Sequence, residues 1–361
     1  MGFSQSVIRS QAPSVIKSQA PSVIKSQAPA KCGICDTDRS IKWKCIDCSK
    51  LLCDHCKEKV HPQFQNAKDH QVVNIKDVGQ PTVVELKINK QYQTGLPAIG
   101  YMSYCDDDSL WICNTKDKVL QRVKPEGTKL KIISSFNIEV YGIAVTQSNN
   151  LLISMEESRL KQINSKTGAL TDPVYDVTPF VAIAVHITSD NKVLVGCGDN
   201  DRICVILMNQ TGDHERVYEH DQHKQPIFTY PWSITSTRNG NIHVVDRVSD
   251  DIRRVVVLGQ GGDIINVYTG DTEINKDRPF EPTDIVTTPR DNVIVADPGT
   301  HTLHILNNAG MMMTYYKTSD INIRFPCSLA LSPTGQLYIG CARPEDSTEH
   351  AKIYEVTVSG C

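Results

Sequence analysis

From residue 82 onward, apolar and polar positions alternate in short runs separated by turn-forming residues, and the arrangement repeats. The clearest unit spans Tyr230 to Gly270. Pro231–Thr235 reads as a strand, Asn239-Gly240 as a tight hairpin turn, Ile242–Asp246 as a second strand and Arg254–Leu258 as a third; Gly261-Gly262 then turns into Asp263–Tyr268. Matching first strands begin near 98, 142, 182, 233, 284 and 328, with steps of 44, 40, 51, 51 and 44 residues. Six four-stranded units at this period predict a mainly β fold, a six-bladed β-propeller. Thr82–Ile88 is a lone strand ahead of the first unit, placed to pair with the three strands of the last unit and close the ring.

The first 31 residues follow another pattern. An octapeptide occurs three times, at Ser6–Pro13, Ser14–Pro21 and Ser22–Pro29. A proline in every copy blocks long helices, and two apolar residues per copy bury no core, so 1–31 is expected to be a disordered, mildly basic arm. Met1-Gly2 with Ser6 fits a loose myristoylation pattern, against which Phe3 counts. The Ser-Gln dipeptides at Ser4, Ser10, Ser18 and Ser26 read as copies of one unit. Residues 72–81 form a linker, and the stretch up to residue 95 is too short and too strand-like for a long coiled coil.

Between arm and linker, residues 32–71 carry paired metal-ligand spacing: Cys32, Cys35, Cys45, Cys48, Cys53, Cys56, His61 and His70. Eight such ligands make two tetrahedral Zn2+ sites, and a segment this short needs metal for much of its folding energy. No secretory signal precedes the cysteines and histidines complete the pattern, which sets aside a disulfide framework. His55 is a spare imidazole on the turn. By spacing alone, a sequential site of Cys32, Cys35, Cys45 and Cys48 is sterically open.

The ligand order, with Leu52-Cys53-Asp54-His55-Cys56 followed by His61 and His70, resembles a B-box zinc finger, nearer type 1 than type 2. The resemblance implies interleaved sites, with Cys32, Cys35, Cys53 and Cys56 on one zinc and Cys45, Cys48, His61 and His70 on the other. Val295–Leu306 resembles an NHL repeat, with Thr300 where that motif usually has asparagine. A B-box followed by an NHL-like propeller resembles the tripartite-motif (TRIM) family. Two of that family's parts are not expected here: a RING, since the first 31 residues hold no cysteine or histidine, and a coiled coil.

Composition narrows the reading further. Residues 1–79 hold 12 Lys+Arg against 7 Asp+Glu, while 80–361 hold 26 against 34. An acidic propeller with scattered cations (Arg247, Arg253, Arg254, Arg324) disfavours RNA, which needs clustered positive charge. Lys31, Arg39, Lys42 and Lys44 lie near the thiolates in sequence and are placed to offset their charge. The seven other cysteines read as reduced thiols of a cytoplasmic protein, and no apolar run approaches a membrane span. Asp199-Asn200-Asp201 and Asp250-Asp251 read as solvated turns, and His301 and His304 as belonging to opposite strand faces. Tyr141, Phe180, Tyr230, Phe280 and Phe325 precede five of the six first strands, where packing between blades competes with ligand stacking.

No nucleophile elbow, phosphate loop or His-Glu-x-x-His motif occurs, so no catalytic residue and no enzyme is expected, and without a RING no ubiquitin-ligase activity of this chain alone. The expected function is a zinc-binding, TRIM-like cytoplasmic adaptor whose B-box and propeller bind proteins, as a monomer or a weak self-associator. The alternatives are an RNA-binding regulator and a ligase subunit working with a RING from another chain.

Overall fold

A computed structural model of the chain describes residues 31–35, 40–45, 50–64, 72–75, 85–344 and 348–359. The repeat arm to residue 30, most of the linker, Cys48 and His70 lie outside the described residues, and with them the readings made of the arm. The chain divides into two compact units, Met1–Val78 and Gly79–Cys361.

In the first unit, β1 (Ile41–Cys45) lies between β2 (Leu51–Cys53) and β3 (Val72–Asn74) in an antiparallel sheet, with Trp43 opposite Leu52 and Asn74. A short helical segment, Cys56–Val60, runs into a tighter turn at His61–Gln63. Its buried centre consists of Cys32, Cys45, Leu52, Cys53 and Cys56, with Ile41, Trp43 and Val60 packed around it.

The second unit begins with β4 (Glu85–Gln93) and continues as six four-stranded antiparallel sheets. The first blade is β5 (Tyr101–Tyr104), β6 (Leu110–Asn114), β7 (Val119–Glu126) and β8 (Lys129–Asn137). The second is β9 (Gly142–Val145), β10 (Leu151–Ser154), β11 (Lys161–Ile163) and β12 (Leu170–Thr171). The third is β13 (Val181–Ile187), β14 (Val193–Gly198), β15 (Ile203–Met208) and β16 (His214–Tyr218). The fourth is β17 (Pro231–Ser236), β18 (Ile242–Arg247), β19 (Arg253–Leu258) and β20 (Ile264–Tyr268). The fifth is β21 (Asp284–Thr287), β22 (Val293–Asp297), β23 (Thr302–Leu306) and β24 (Met312–Lys317). The sixth joins β25 (Pro326–Leu331), β26 (Gln336–Cys341) and β27 (Lys352–Ser359) to β4.

This is the expected six-bladed propeller, and the lone leading strand does close it. β4 pairs with β27 from Glu85 opposite Ser359 to Gln93 opposite Lys352, and it buries Leu86 and Tyr92. The first blade starts later than the sequence suggests: Ala98 bridges to Ala342 instead, while Gly100 donates to the Cys113 carbonyl.

The middle strands are buried on both faces, which explains their near-continuous Val, Ile and Leu content. Neighbouring blades pack closely enough that a Cβ on Gly340 would come within 2.9 Å of Ile99 and Ser328 side-chain atoms. The hairpin between first and second strands is built alike in all six blades. Asp108, Asn149, Asn191, Gly240, Asp291 and Gly335 adopt left-handed φ, and each donates its N–H to the carbonyl three residues earlier.

Candidate functional site

The metal-ligand cluster is assembled by two knuckles. Cys32 and Cys35 flank a turn that Gly33 docks on β2 through its N–H to the Leu51 carbonyl (2.7 Å). Cys53 ends β2 and Cys56 opens the helical segment. The four Sγ atoms lie within 4.8 Å of one another, with Cys35 and Cys53 Sγ 3.9 Å apart. A tetrahedral zinc with Zn–S bonds of about 2.3 Å places its sulfurs about 3.8 Å apart, so the donor set and its spacing fit one zinc ion.

Burial raises the cost of a charged Cys32 thiolate, but N–H groups of Cys35, Cys53 and Ile34 outweigh it, and its pKa falls to about 6. Burial and the neighbouring thiols push Cys56 up instead. Four thiols held this close resist ionising together; a bound dication reverses that. Asp54 ties the knuckle to β1, accepting from Lys42 Nζ (2.6 Å) and Trp43 Nε1 (2.7 Å), while Lys57 Nζ sits 3.5 Å from the Trp43 ring centroid. Lys42 therefore serves Asp54 as its ionic partner. His55 is exposed. Of the second ligand set, Cys45 and His61 are buried, and Cys48 and His70 lie outside the described residues.

In the propeller, the six inner strands surround a cavity of about 1060 Å³. The first hairpin turns ring one end of it, and Tyr101 and Trp232 line the other. On its wall His186 Nε2 lies 3.0 Å from Ser236 Oγ, and burial pushes the His186 pKa down to about 4, so the ring is neutral at pH 7. Asp284, also on the wall, accepts from Ser233 Oγ (2.8 Å), Ile285 N (2.9 Å) and Leu329 N (2.7 Å). Burial outweighs these bonds and raises its pKa to about 6. Sequence inspection missed all three residues, because none belongs to a local motif.

The aromatic residues before the first strands divide. Phe180 and Phe280 are buried; Phe280 packs edge-on against Tyr268 and His304. Tyr141, Tyr230 and Phe325 remain half-buried. Tyr230 lies 6.1 Å from Trp232, and Phe325 4.5 Å from His301. Asp246, one residue before the end of β18, and Asp297, the last residue of β22, organise the loops beside them. Asp246 accepts from Thr229 and Tyr230 N–H (2.8 Å each) and pairs with Arg254 (2.9 Å), and Asp297 accepts from Thr300 and Asn275. Asp199 caps its own turn through the N–H groups of Asp201 and Arg202, which is the role read from sequence. Among the described residues no helix is long and apolar enough to cross a membrane.

No family model and no curated protein matches the sequence. Among solved structures, a luciferin-regenerating enzyme aligns at TM-score 0.54 and 12% identity over 76% of this chain and 95% of its own. A PQQ-bound aldose sugar dehydrogenase from Streptomyces coelicolor aligns at TM-score 0.52 and 13% identity, over 77% and 99%. A streptogramin B lyase aligns at 0.50 and 13%, over 76% and 98%. At these identities the likeness shows the fold alone.

These neighbours correct one expectation. The chain was expected not to be an enzyme because it lacks local catalytic motifs, yet proteins with the same propeller fold are enzymes. The motif argument fails for a physical reason: a propeller lines one axis with single residues from several blades, as His186, Ser236 and Asp284 line the cavity here, and such residues leave no contiguous signature.

Proposed function

We propose that the chain is a TRIM-like adaptor: a B-box-type module holding two zinc ions, followed by an NHL-like propeller that docks a protein partner on the face around Trp232. The observation that carries this reading is the grouping of Cys32, Cys35, Cys53 and Cys56, the first and third pairs of the ligand series, which is the grouping the B-box order implies. The half-buried aromatic rings of Tyr141, Tyr230 and Trp232 support the docking face, since such rings supply contact area at low entropic cost. Affinity capture from cytosol with the full chain, with and without RNase, tests it. Protein partners that survive RNase are expected; recovery of RNA-dependent partners alone would favour a nucleic-acid regulator.

A second reading rests on the cavity. Its volume and its buried polar wall suit a small polar ligand, with neutral His186 placed to accept a proton through or beside Ser236. A thermal-shift screen of small metabolites against wild type and His186→Ala tests it. Ligands that raise the melting temperature of the wild type only are expected.

A further inference from the structure

Arg247 and Arg253 stand directly opposite each other on β18 and β19. Like charges in that register repel, and the next pair along, Asp246 opposite Arg254, shows the ordinary solution. Arg254 is satisfied by Asp246 and by the Ile227 carbonyl (3.0 Å). Arg253 is not. Its Nη1 donates to the Pro282 carbonyl (3.1 Å), its buried Nε has no partner, and it forms no ion pair among the described residues. Burial, and then Arg247, push its pKa below arginine's usual value; Glu281 pulls the other way from beyond ion-pair distance. Among the described residues the only ionic partner of Arg247 is Asp250, whose side chain is 90% exposed, a contact that exchanges readily.

Both guanidinium groups lie against Trp232, 5.5 Å and 6.0 Å from its ring centroid, with the Tyr101 ring at 6.3 Å and Tyr230 at 6.1 Å. Two opposed forks over an aromatic floor suit one planar carboxylate beside an apolar side chain. Glu281, and Glu156 near Tyr230, together with the acidic balance of the propeller, repel a polyphosphate but tolerate a single carboxylate.

We propose that Arg253, Arg247 and Trp232 form the recognition site for a single carboxylate side chain beside an aromatic residue in a peptide segment of a partner protein. This rests on the adaptor reading and names the chemistry of its docking face.

The test uses the full zinc-loaded chain and labelled peptide pools that differ only in a central Glu or Gln beside an aromatic residue. The Glu pool is expected to bind about tenfold tighter, with that preference lost in Arg253→Gln and partly kept in Arg253→Lys. Arg253→Gln is also expected to melt no lower than wild type, because it removes an uncompensated guanidinium. Equal binding of the two pools, an unchanged preference in Arg253→Gln, or a melt well below wild type would each overturn the proposal, as would Arg253-dependent binding of oligo(U) tighter than the Glu pool. The cytosolic capture separates the two readings. Partners retained by Arg253→Gln with no Glu preference leave the adaptor and remove this site. An Arg253-dependent Glu preference with no captured protein does the reverse.

Discussion

The two units are both built from short antiparallel strands, yet they bury different things. Among the described residues of the N-terminal unit the fully buried centre is Cys32, Cys45, Cys53 and Cys56 with one aliphatic residue, Leu52. In the propeller each interface between blades is a layer of Val, Ile and Leu, such as Val244, Val256 and Leu258 against Leu194 and Val205. The first unit has a core made largely of thiols, so on the proposed zinc reading its cohesion depends on the metal they hold. The second has a core made of hydrocarbon, and its cohesion depends on the ring being closed by β4. A shared strand grammar therefore says little about the source of stability; the buried side chains do.

The comparison breaks most visibly at Cys53. Replacing it with Ser removes one donor from the four-thiolate site, and a structural zinc contributes on the order of 10–16 kcal/mol in small modules. On the proposed two-zinc reading, zinc content is expected to fall from two ions per chain to one, read by cobalt substitution as loss of the four-thiolate charge-transfer band, with the propeller melt unmoved. Deleting residues 1–93 removes β4 and should cost the propeller most of its stability, on the order of 5–15 kcal/mol, read by circular dichroism and solubility. A milder change at the same seam, Tyr92→Ala, empties a fully buried site and breaks the bond from its hydroxyl to Glu355 (2.9 Å). About 3–5 kcal/mol is expected in denaturant unfolding, with zinc content unchanged.

The smallest effect concerns acid. His243 is fully buried and burial lowers its pKa to about 3, against 6.5 for the free side chain. The unfolded chain binds that proton below pH 6.5 and the folded chain does not, so stability is complete above 6.5 and drains as the pH falls. Asp284 opposes this. Its folded pKa near 6 exceeds the ordinary 3.8, so its contribution is present below 3.8 and lost as the pH rises through 6. In His243→Leu the loss between pH 6.5 and pH 4 should shrink by roughly 3 kcal/mol, measured as unfolding free energy against pH. An unchanged slope would mean that the ring is protonated in the fold.

Much of this architecture is visible in the chain, and the reason is local. A strand of alternating residues, a turn with Asn-Gly or Thr-Gly, and paired Cys-x2-Cys spacing are each written in consecutive positions. The six first hairpins hide a weaker signal, a Thr or Ser three residues before the left-handed Asn, Asp or Gly in five of them: Thr146, Thr188, Thr237, Thr288 and Ser332. Read together, these would have sharpened the blade boundaries. What the chain does not show is the axis. Arg247 and Arg253 look scattered in sequence, and only the register of β18 on β19 sets them face to face beside Trp232. His186, Ser236 and Asp284 line one cavity from three different blades.

Calorimetry of the full chain with and without a zinc chelator, with the released metal counted, tests the contrast between the two units most directly. The expected result is two zinc ions released per chain, loss of the transition belonging to the N-terminal unit, and a propeller transition at the same temperature in both scans. A chain that releases no zinc, or a propeller transition that moves with the chelator, would contradict it.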